Sequence, residues 1–201
     1  MTYKAIGFDY GGVIRGQPGI YFEQAVCAEL GISHEKYAEA YYKNNHKRNL
    51  GNVSWDDFWS EFVADFGGTP LQAVRIREIG NTKHRNINQN IVDLITTLRN
   101  SGYLLGLYSN NTREAADDMR ARGIDTHFDV FWVSGEVGYM KPDPEGFRKF
   151  FAALGAKPEE SIFIDDATKS LSTADEIGFT PILYRTYEGL VGDLKRLGIS
   201  F

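Results

Sequence analysis

The chain has 201 residues and a formal net charge of −5, from 22 basic and 27 acidic residues with no long run of one sign. This balance argues against a nucleic-acid partner, and no apolar segment is long enough to cross a membrane. The hydrophobic content of 42% predicts an ordinary globular core. The single cysteine, Cys27, cannot form an internal disulfide. We interpret it as a small buried hydrophobic residue, and we expect a cytoplasmic protein.

Short apolar segments alternate with helical patterns along most of the chain. The candidate strands, in chain order, are Lys4–Phe8, Tyr103–Tyr108, Phe128–Val133, Ser161–Ile164 and Pro181–Tyr184. Apolar residues at helical spacing lie between them, as in the series Ile91, Leu94, Ile95, Leu98 and the series Phe147, Phe150, Phe151, Leu154. Asp143 is a suitable N-cap for the second series. This alternation predicts an α/β protein, with a parallel sheet covered by helices on both faces.

Residues 16–85 interrupt the alternation because they show helical periodicity and no convincing strand. Ser54 with Asp57 three residues later resembles a capping arrangement, and glycines near residues 31 and 67 separate the helices. The segment is rich in aromatic residues, which we interpret as its own core. It is therefore predicted to be an all-helical domain inserted into a core domain of residues 1–15 and 86–201.

Polar side chains follow the ends of the predicted strands, where open α/β sheets bind ligands. Asp9 follows the first strand and begins the turn Asp9-Tyr10-Gly11-Gly12. Ser109 and Asn110 follow the second strand, Lys141 lies in a loop directly before the prolines Pro142 and Pro144, and Asp165 and Asp166 follow the fourth strand. Each motif alone is more often an ordinary turn or helix cap than part of a functional site. Four of them in this order predict one polar site.

The residue types at this site suit a phosphate group with a divalent cation. Mg²⁺ prefers carboxylate and carbonyl oxygens, which Asp9, the backbone of the Gly11 turn and Asp166 can supply. Mg²⁺ is favoured over Mn²⁺ by availability alone. Lys141, the hydroxyl of Ser109 and the N–H groups of a helix start near Thr112 can offset the charge of the phosphoryl oxygens.

These motifs together resemble the four ordered motifs of the haloacid dehalogenase superfamily. The matching segments are Phe8-Asp9-Tyr10-Gly11-Gly12-Val13, Leu107-Tyr108-Ser109-Asn110, Lys141-Pro142 and Phe163-Ile164-Asp165-Asp166. The resemblance covers essentially the whole chain. It implies a Rossmann-like core under a mobile helical cap, as in the subfamily with a C1 cap.

The resemblance also implies a role for each motif residue. Asp9 becomes the nucleophile, Ser109 and Lys141 the groups that assist it, and Ser109, Asn110, Lys141 and Gly12 the substrate-binding positions. The implied Mg²⁺ ligands are Asp9, the Gly11 carbonyl, Asp165 and Asp166. The expected substrate is a small phosphorylated metabolite, for example a sugar phosphate.

The chain departs from the family pattern at Gly11, where phosphatases of the superfamily usually carry a second Asp as general acid and base. Ser170 is a smaller departure, because Asn or Asp is commoner there. Three interpretations stay open. The protein hydrolyses phosphoesters whose leaving groups need little protonation, or with an acid borrowed from the cap or from water. Alternatively it is a 2-haloacid dehalogenase, or a catalytically impaired domain that binds a phospholigand or a protein partner.

Residues outside the motifs give weaker indications. Of the four histidines, His46 lies in a polar cluster of the helical segment and is the best candidate there for a borrowed acid. Arg15 and Arg85 lie near the predicted domain hinges, where they contact substrate or form surface ion pairs. Monomer and homodimer are equally compatible with the sequence.

Overall fold

The computed structural model describes residues 3–16, 19–49, 53–83 and 86–201, with the backbone alone for 48 and 81–83. The strands of its parallel sheet are β1 (Ala5–Phe8), β2 (Leu104–Ser109), β3 (Val130–Val133), β4 (Ser161–Asp165) and β5 (Thr180–Leu183). They are arranged in the order β3-β2-β1-β4-β5. The predicted α/β class is confirmed, and the strands lie within about two residues of their predicted limits.

Helices occupy both faces of the sheet and the segment after β1. Those after β1 are α1 (Gly19–Leu30), α2 (His34–Asn49), α3 (Trp55–Asp65) and α4 (Pro70–Lys83). Those of the sheet layers are α5 (Gln89–Asn100), α6 (Arg113–Ala121), α7 (Ser134–Val137), α8 (Pro144–Ala153), α9 (Ala174–Ile177) and α10 (Tyr187–Arg196). Among the described residues, no helix has both the length and the apolar character needed to span a membrane.

Each face of the sheet has its own apolar core, because successive strand residues point in opposite directions. Ile6 and Phe8 belong to one cluster, with α5 and α10, whereas Phe163 belongs to the other, with the aromatic residues of α8. Gly106 permits this second packing. A Cβ atom there would lie 2.5 Å from Cζ of Phe150, which is closer than any real contact. Both faces are thus buried, as a parallel sheet requires.

The four helices after β1 have a separate core. It contains Phe58, Trp59 and Phe62 of α3, packed against Phe22 of α1 and Tyr37 of α2. Ser54 caps α3 by accepting a hydrogen bond of 3.1 Å from the Asp57 N–H, as its sequence predicts. Cys27 is only partly buried at the edge of this cluster, and burial raises the pKa of its thiol. We refer to residues 19–83 of these helices as the cap.

Candidate active site

The register of the sheet brings the predicted residues to one edge. Phe8 pairs with Leu107 on one side and with Ile164 on the other, so the residues that follow these three emerge together. The Asp9 N–H donates to the Ile164 carbonyl at 2.8 Å, which fixes the nucleophile candidate between β2 and β4. Asp9, Ser109, Lys141, Asp165 and Asp166 are all buried.

Lys141 joins the acidic residues of this edge. Its Nζ lies 2.8 Å from Oδ1 of Asp9 and 2.5 Å from Oδ2 of Asp165. Burial lowers the pKa of Lys141, but the two carboxylates outweigh it and raise that pKa above its usual value. The side chain is therefore a buried ammonium at neutral pH, placed between the nucleophile candidate and Asp165.

The side chain of Asn110 fixes the loop that carries Lys141. Its Nδ2 donates to the Lys141 carbonyl at 2.8 Å, and its Oδ1 accepts from the Lys141 N–H at 2.7 Å. Both polar atoms of the amide are thus bonded to one backbone residue. The structure gives Asn110 a positioning contact that its strand-end location did not predict.

Three carboxylates form a group that suits a cation. One oxygen from each of Asp9, Asp165 and Asp166 can be chosen so that all three lie within 4.8 Å of one another. Burial raises the pKa of Asp9 to about 6, with Lys141 opposing and Asp165 adding to the shift. Burial and then the charges of Asp165 and Asp9 raise the pKa of Asp166 to about 8. Such crowding of acidic groups costs energy that a divalent cation would remove.

Three hydrogen bonds fasten the acidic loop, and the sequence indicated none of them. The Gly19 N–H, at the first residue of α1, donates to Oδ2 of Asp166. Arg185 Nη1 donates to the Asp166 carbonyl at 2.6 Å, and the Ala167 N–H donates to Oδ1 of Asp165 at 2.8 Å. The cap therefore begins in direct contact with a candidate metal ligand.

The turn after Asp9 is shaped by its glycines. Gly12 has a φ of 76°, in the left-handed region that favours glycine, and its N–H donates to the Arg15 carbonyl at 2.8 Å. Gly11 differs, because no atom lies within 4 Å of the place where a Cβ would stand. The position of Gly11 therefore has room for the acidic side chain that other phosphatases of the superfamily usually carry there.

A cavity of about 660 Å³ connects this edge of the sheet with the cap. All eight predicted site residues line it, namely Asp9, Gly11, Gly12, Ser109, Asn110, Lys141, Asp165 and Asp166. The lining also includes Asn111, Arg15, Lys169, Ser170 and Arg185. Several cap aromatics also border the cavity, so the interpretation of these residues as core alone was incomplete. These aromatic residues both pack the cap helices together and line the space between the cap and the sheet.

The remaining predictions outside the motifs have different outcomes. His46 is exposed and does not line the cavity, so the prediction that it approaches the site is wrong; it lies on the outer side of α2. Arg15 lines the cavity and also pairs with Asp118 at 3.3 Å. His84 and Arg85 lie outside the described residues.

Curated relatives match the chain over part of their length. Bifunctional epoxide hydrolase 2 of Sus scrofa is 25% identical over 220 aligned residues, which cover 98% of this chain and 39% of that protein. Pyrophosphatase PpaX of Halalkalibacterium halodurans is 34% identical over 79 residues, covering 39% of this chain and 37% of that protein. The chain thus spans well under two thirds of these relatives.

Solved structures share the whole fold. A predicted HAD-like family hydrolase from Porphyromonas gingivalis has a TM-score of 0.67 at 25% identity, with 100% of both chains covered. A HAD family enzyme from Bacteroides thetaiotaomicron, in complex with magnesium, has a TM-score of 0.59 at 20% identity, covering 92% of this chain and 94% of that one. The model of the haloacid dehalogenase-like hydrolase family matches residues 21–183. The chain therefore belongs to the haloacid dehalogenase-like hydrolases.

Proposed function

We propose that the protein is a Mg²⁺-dependent phosphatase that hydrolyses a small phosphorylated metabolite through a phospho-Asp9 intermediate. The observation that carries this proposal is the Lys141 ammonium between Asp9 and Asp165, beside a group of three buried carboxylates. Phosphatases among the relatives, such as the pyrophosphatase from Halalkalibacterium halodurans, support it.

The donor set fits Mg²⁺. The carboxylates of Asp9, Asp165 and Asp166 and the backbone carbonyl of Gly11 would hold it, and these are the hard oxygen ligands that Mg²⁺ prefers. Burial, and after it the neighbouring carboxylates, raise the pKa values of Asp9 and Asp166, and a bound cation would favour the ionised forms. When bound, the cation would offset the charge of the phosphoryl oxygens.

The residues of the chain then have distinct tasks. Lys141 binds a phosphoryl oxygen, and the Ser109 hydroxyl and the Gly12 backbone orient the group. The Asp9 carboxylate attacks phosphorus, the bond to the alkoxide oxygen breaks, and the leaving group takes a proton from water. A water molecule then attacks phospho-Asp9, which releases phosphate and restores the carboxylate. Asn110 holds Lys141 in place for both steps.

The same account assigns the domains. We propose a core domain of residues 1–15 and 86–201 that carries the chemistry, and an inserted helical domain of residues 16–85, which contains the cap, excludes water and selects the leaving group. The cap has its own apolar cluster, and its contacts with the core include Gly19 with Asp166 and Asn49 with Met140. This division is the one that a movable cap needs.

A phosphatase assay tests the proposal. Purified protein is assayed with and without Mg²⁺ on p-nitrophenyl phosphate, acetyl phosphate and a panel of sugar phosphates, with Asp9→Asn as the matched control. We expect turnover that requires both the cation and Asp9. Turnover of 2-chloropropionate in the presence of EDTA would instead identify a dehalogenase, and a folded protein that is inactive on every compound would contradict the proposal.

A further inference from the structure

The cavity reaches from the carboxylates of the core into a recess of the cap. We call this recess the cap pocket, and it is formed by Phe22, Glu23, Tyr37, Tyr41, Tyr42 and Trp55. Because Asp9 and the cap pocket line the same cavity, a phosphoester bound at Asp9 would extend its alcohol part into the cap pocket. The residues of the cap pocket therefore indicate which kind of leaving group the substrate carries.

The charge of the cap pocket comes from one carboxylate. Glu23 has a side chain that is only 15% exposed. His34 also lines the cavity, and its Nδ1 pairs with Oε1 of Glu23; this imidazole side chain is 61% exposed and carries a charge only when it is protonated. Among the described residues of the cap, no lysine or arginine lines the cavity. Within the described part of the cap, Glu23 is thus paired with the His34 imidazole, and this recess has no lysine or arginine of its own.

The walls of the cap pocket are aromatic. The rings of Tyr37 and Tyr41 stack with centroids 5.3 Å apart and an interplanar angle of 11°. Phe22 and Trp55 stack at 6.3 Å and 29°. Aromatic faces attract cations through their quadrupole, and a buried carboxylate adds a full opposite charge. An anionic group would be repelled by the carboxylate, and a neutral group would leave it with the His34 imidazole alone.

Tyr42 connects this recess with the core. Burial raises the pKa of its phenol, and the negative charges of Glu23, Asp166 and Asp165 add to that effect. Tyr42, Glu23, Asp165 and Asp166 all line the same cavity. Lys169 of the core lies over the Tyr42 ring, with Nζ 6.0 Å from the centroid, so the ring stands where cap and core meet.

We infer that the cap pocket binds an organic ammonium group, and that the substrate is the phosphate monoester of an amino alcohol or of a quaternary ammonium alcohol. Hydrolysis of such a substrate rests on the proposed phosphatase function, whereas binding of its ammonium group in the cap pocket does not. The two ends of such a substrate match the two ends of the cavity. Its phosphate faces Lys141 and the cation site, and its ammonium group faces Glu23 and the aromatic walls.

Matched pairs of esters test the inference. Phosphocholine is compared with its uncharged isostere 3,3-dimethylbutyl phosphate, and 2-aminoethyl phosphate with propyl phosphate. A cation–π contact contributes about 1–2 kcal/mol when desolvated, so we expect kcat/KM to favour the ammonium ester at least about tenfold in one pair or both. Glu23→Gln should reduce the preference severalfold, because it removes the carboxylate and leaves the aromatic walls in place. Glu39→Gln, which removes an exposed carboxylate of α2 outside the cavity, should keep it.

Binding separates this inference from the phosphatase proposal. The affinities of the same four esters for Asp9→Asn, and for Asp9→Asn with Glu23→Gln, are measured by calorimetry with Mg²⁺ present. Tighter binding of an ammonium ester that depends on Glu23 supports the inference even if no ester is hydrolysed. Equal values within both pairs, in turnover and in binding, would overturn it while hydrolysis of p-nitrophenyl phosphate left the phosphatase intact.

Discussion

Replacement of Lys141 by methionine tests how the buried charges are balanced. The variant keeps most of the side-chain volume but removes the ammonium that lies 2.8 Å from Asp9 and 2.5 Å from Asp165. At an effective dielectric constant of about 20, each of these attractions is about 6 kcal/mol. The methionine variant also avoids the cost of desolvating the ammonium, and this gain offsets much of the lost attraction. Loss of one partner of a buried ion pair typically costs about 3–5 kcal/mol, and we expect a loss of that size in the free energy of unfolding.

The loss of unfolding free energy in Lys141→Met should depend on pH. The pKa values of Asp9 and Asp166 are raised in the folded protein to about 6 and about 8, so their contribution to stability is complete at low pH and declines as the pH rises through these values. Without Lys141, mutual repulsion of the carboxylates makes that decline steeper. At pH 5, where both groups are protonated in the metal-free protein, the variant should differ less from the wild type than at pH 8.

Urea unfolding of the metal-free protein at pH 5 and pH 8 measures both effects. Lys149→Met is the control, because Lys149 is exposed and pairs with Glu145 on the surface of α8. We expect the control to change the free energy of unfolding by less than about 1 kcal/mol. A Lys141→Met variant as stable as the wild type at pH 8, or equally destabilised at both pH values, would refute this account of the buried charges.

Three further predictions concern the site. Gly11→Asp should raise kcat on alkyl phosphates by about 10² or more, because the position has room for a side chain and a positioned acid contributes about 10²–10⁴; unchanged kcat would show that Gly11 does not limit the rate. The dissociation constant for Mg²⁺, measured by calorimetry, should increase as the pH falls from 8 to 6, since protons compete at Asp9 and Asp166; a constant value would exclude them as ligands. Asn110→Ala should lower kcat about tenfold by releasing the Lys141 loop, and an unaltered kcat would remove its positioning role.

The sequence was sufficient for the sheet and for the location of the polar edge. Apolar segments such as Ser161–Ile164 are buried on both faces, so they stand out from amphipathic helices. Because parallel strands end at a common edge, Asp9 and Asp165 could be placed near one another without coordinates.

Contacts between distant segments could not be predicted in this way. Gly19 and Asp166 are 147 residues apart, and nothing in a backbone N–H indicates its partner. Arg185 follows β5 as an unremarkable surface arginine, yet it bonds to the Asp166 carbonyl. The orientation of a cap helix has the same difficulty. The sequence favoured His46 of α2 as the residue that approaches the site, and only the packed helices show that Asn45 lines the cavity instead.

The most direct measurement of the central claim is detection of the phosphorylated enzyme. Protein mixed with Mg²⁺ and acetyl phosphate is quenched in acid within the first turnover, digested, and examined by mass spectrometry, with Asp9→Asn treated in parallel. The account predicts one phosphorylated peptide, which contains residue 9 and is absent from the variant and from the sample without Mg²⁺. Phosphate release without any phosphorylated Asp9, or with equal phosphorylation in Asp9→Asn, would contradict it.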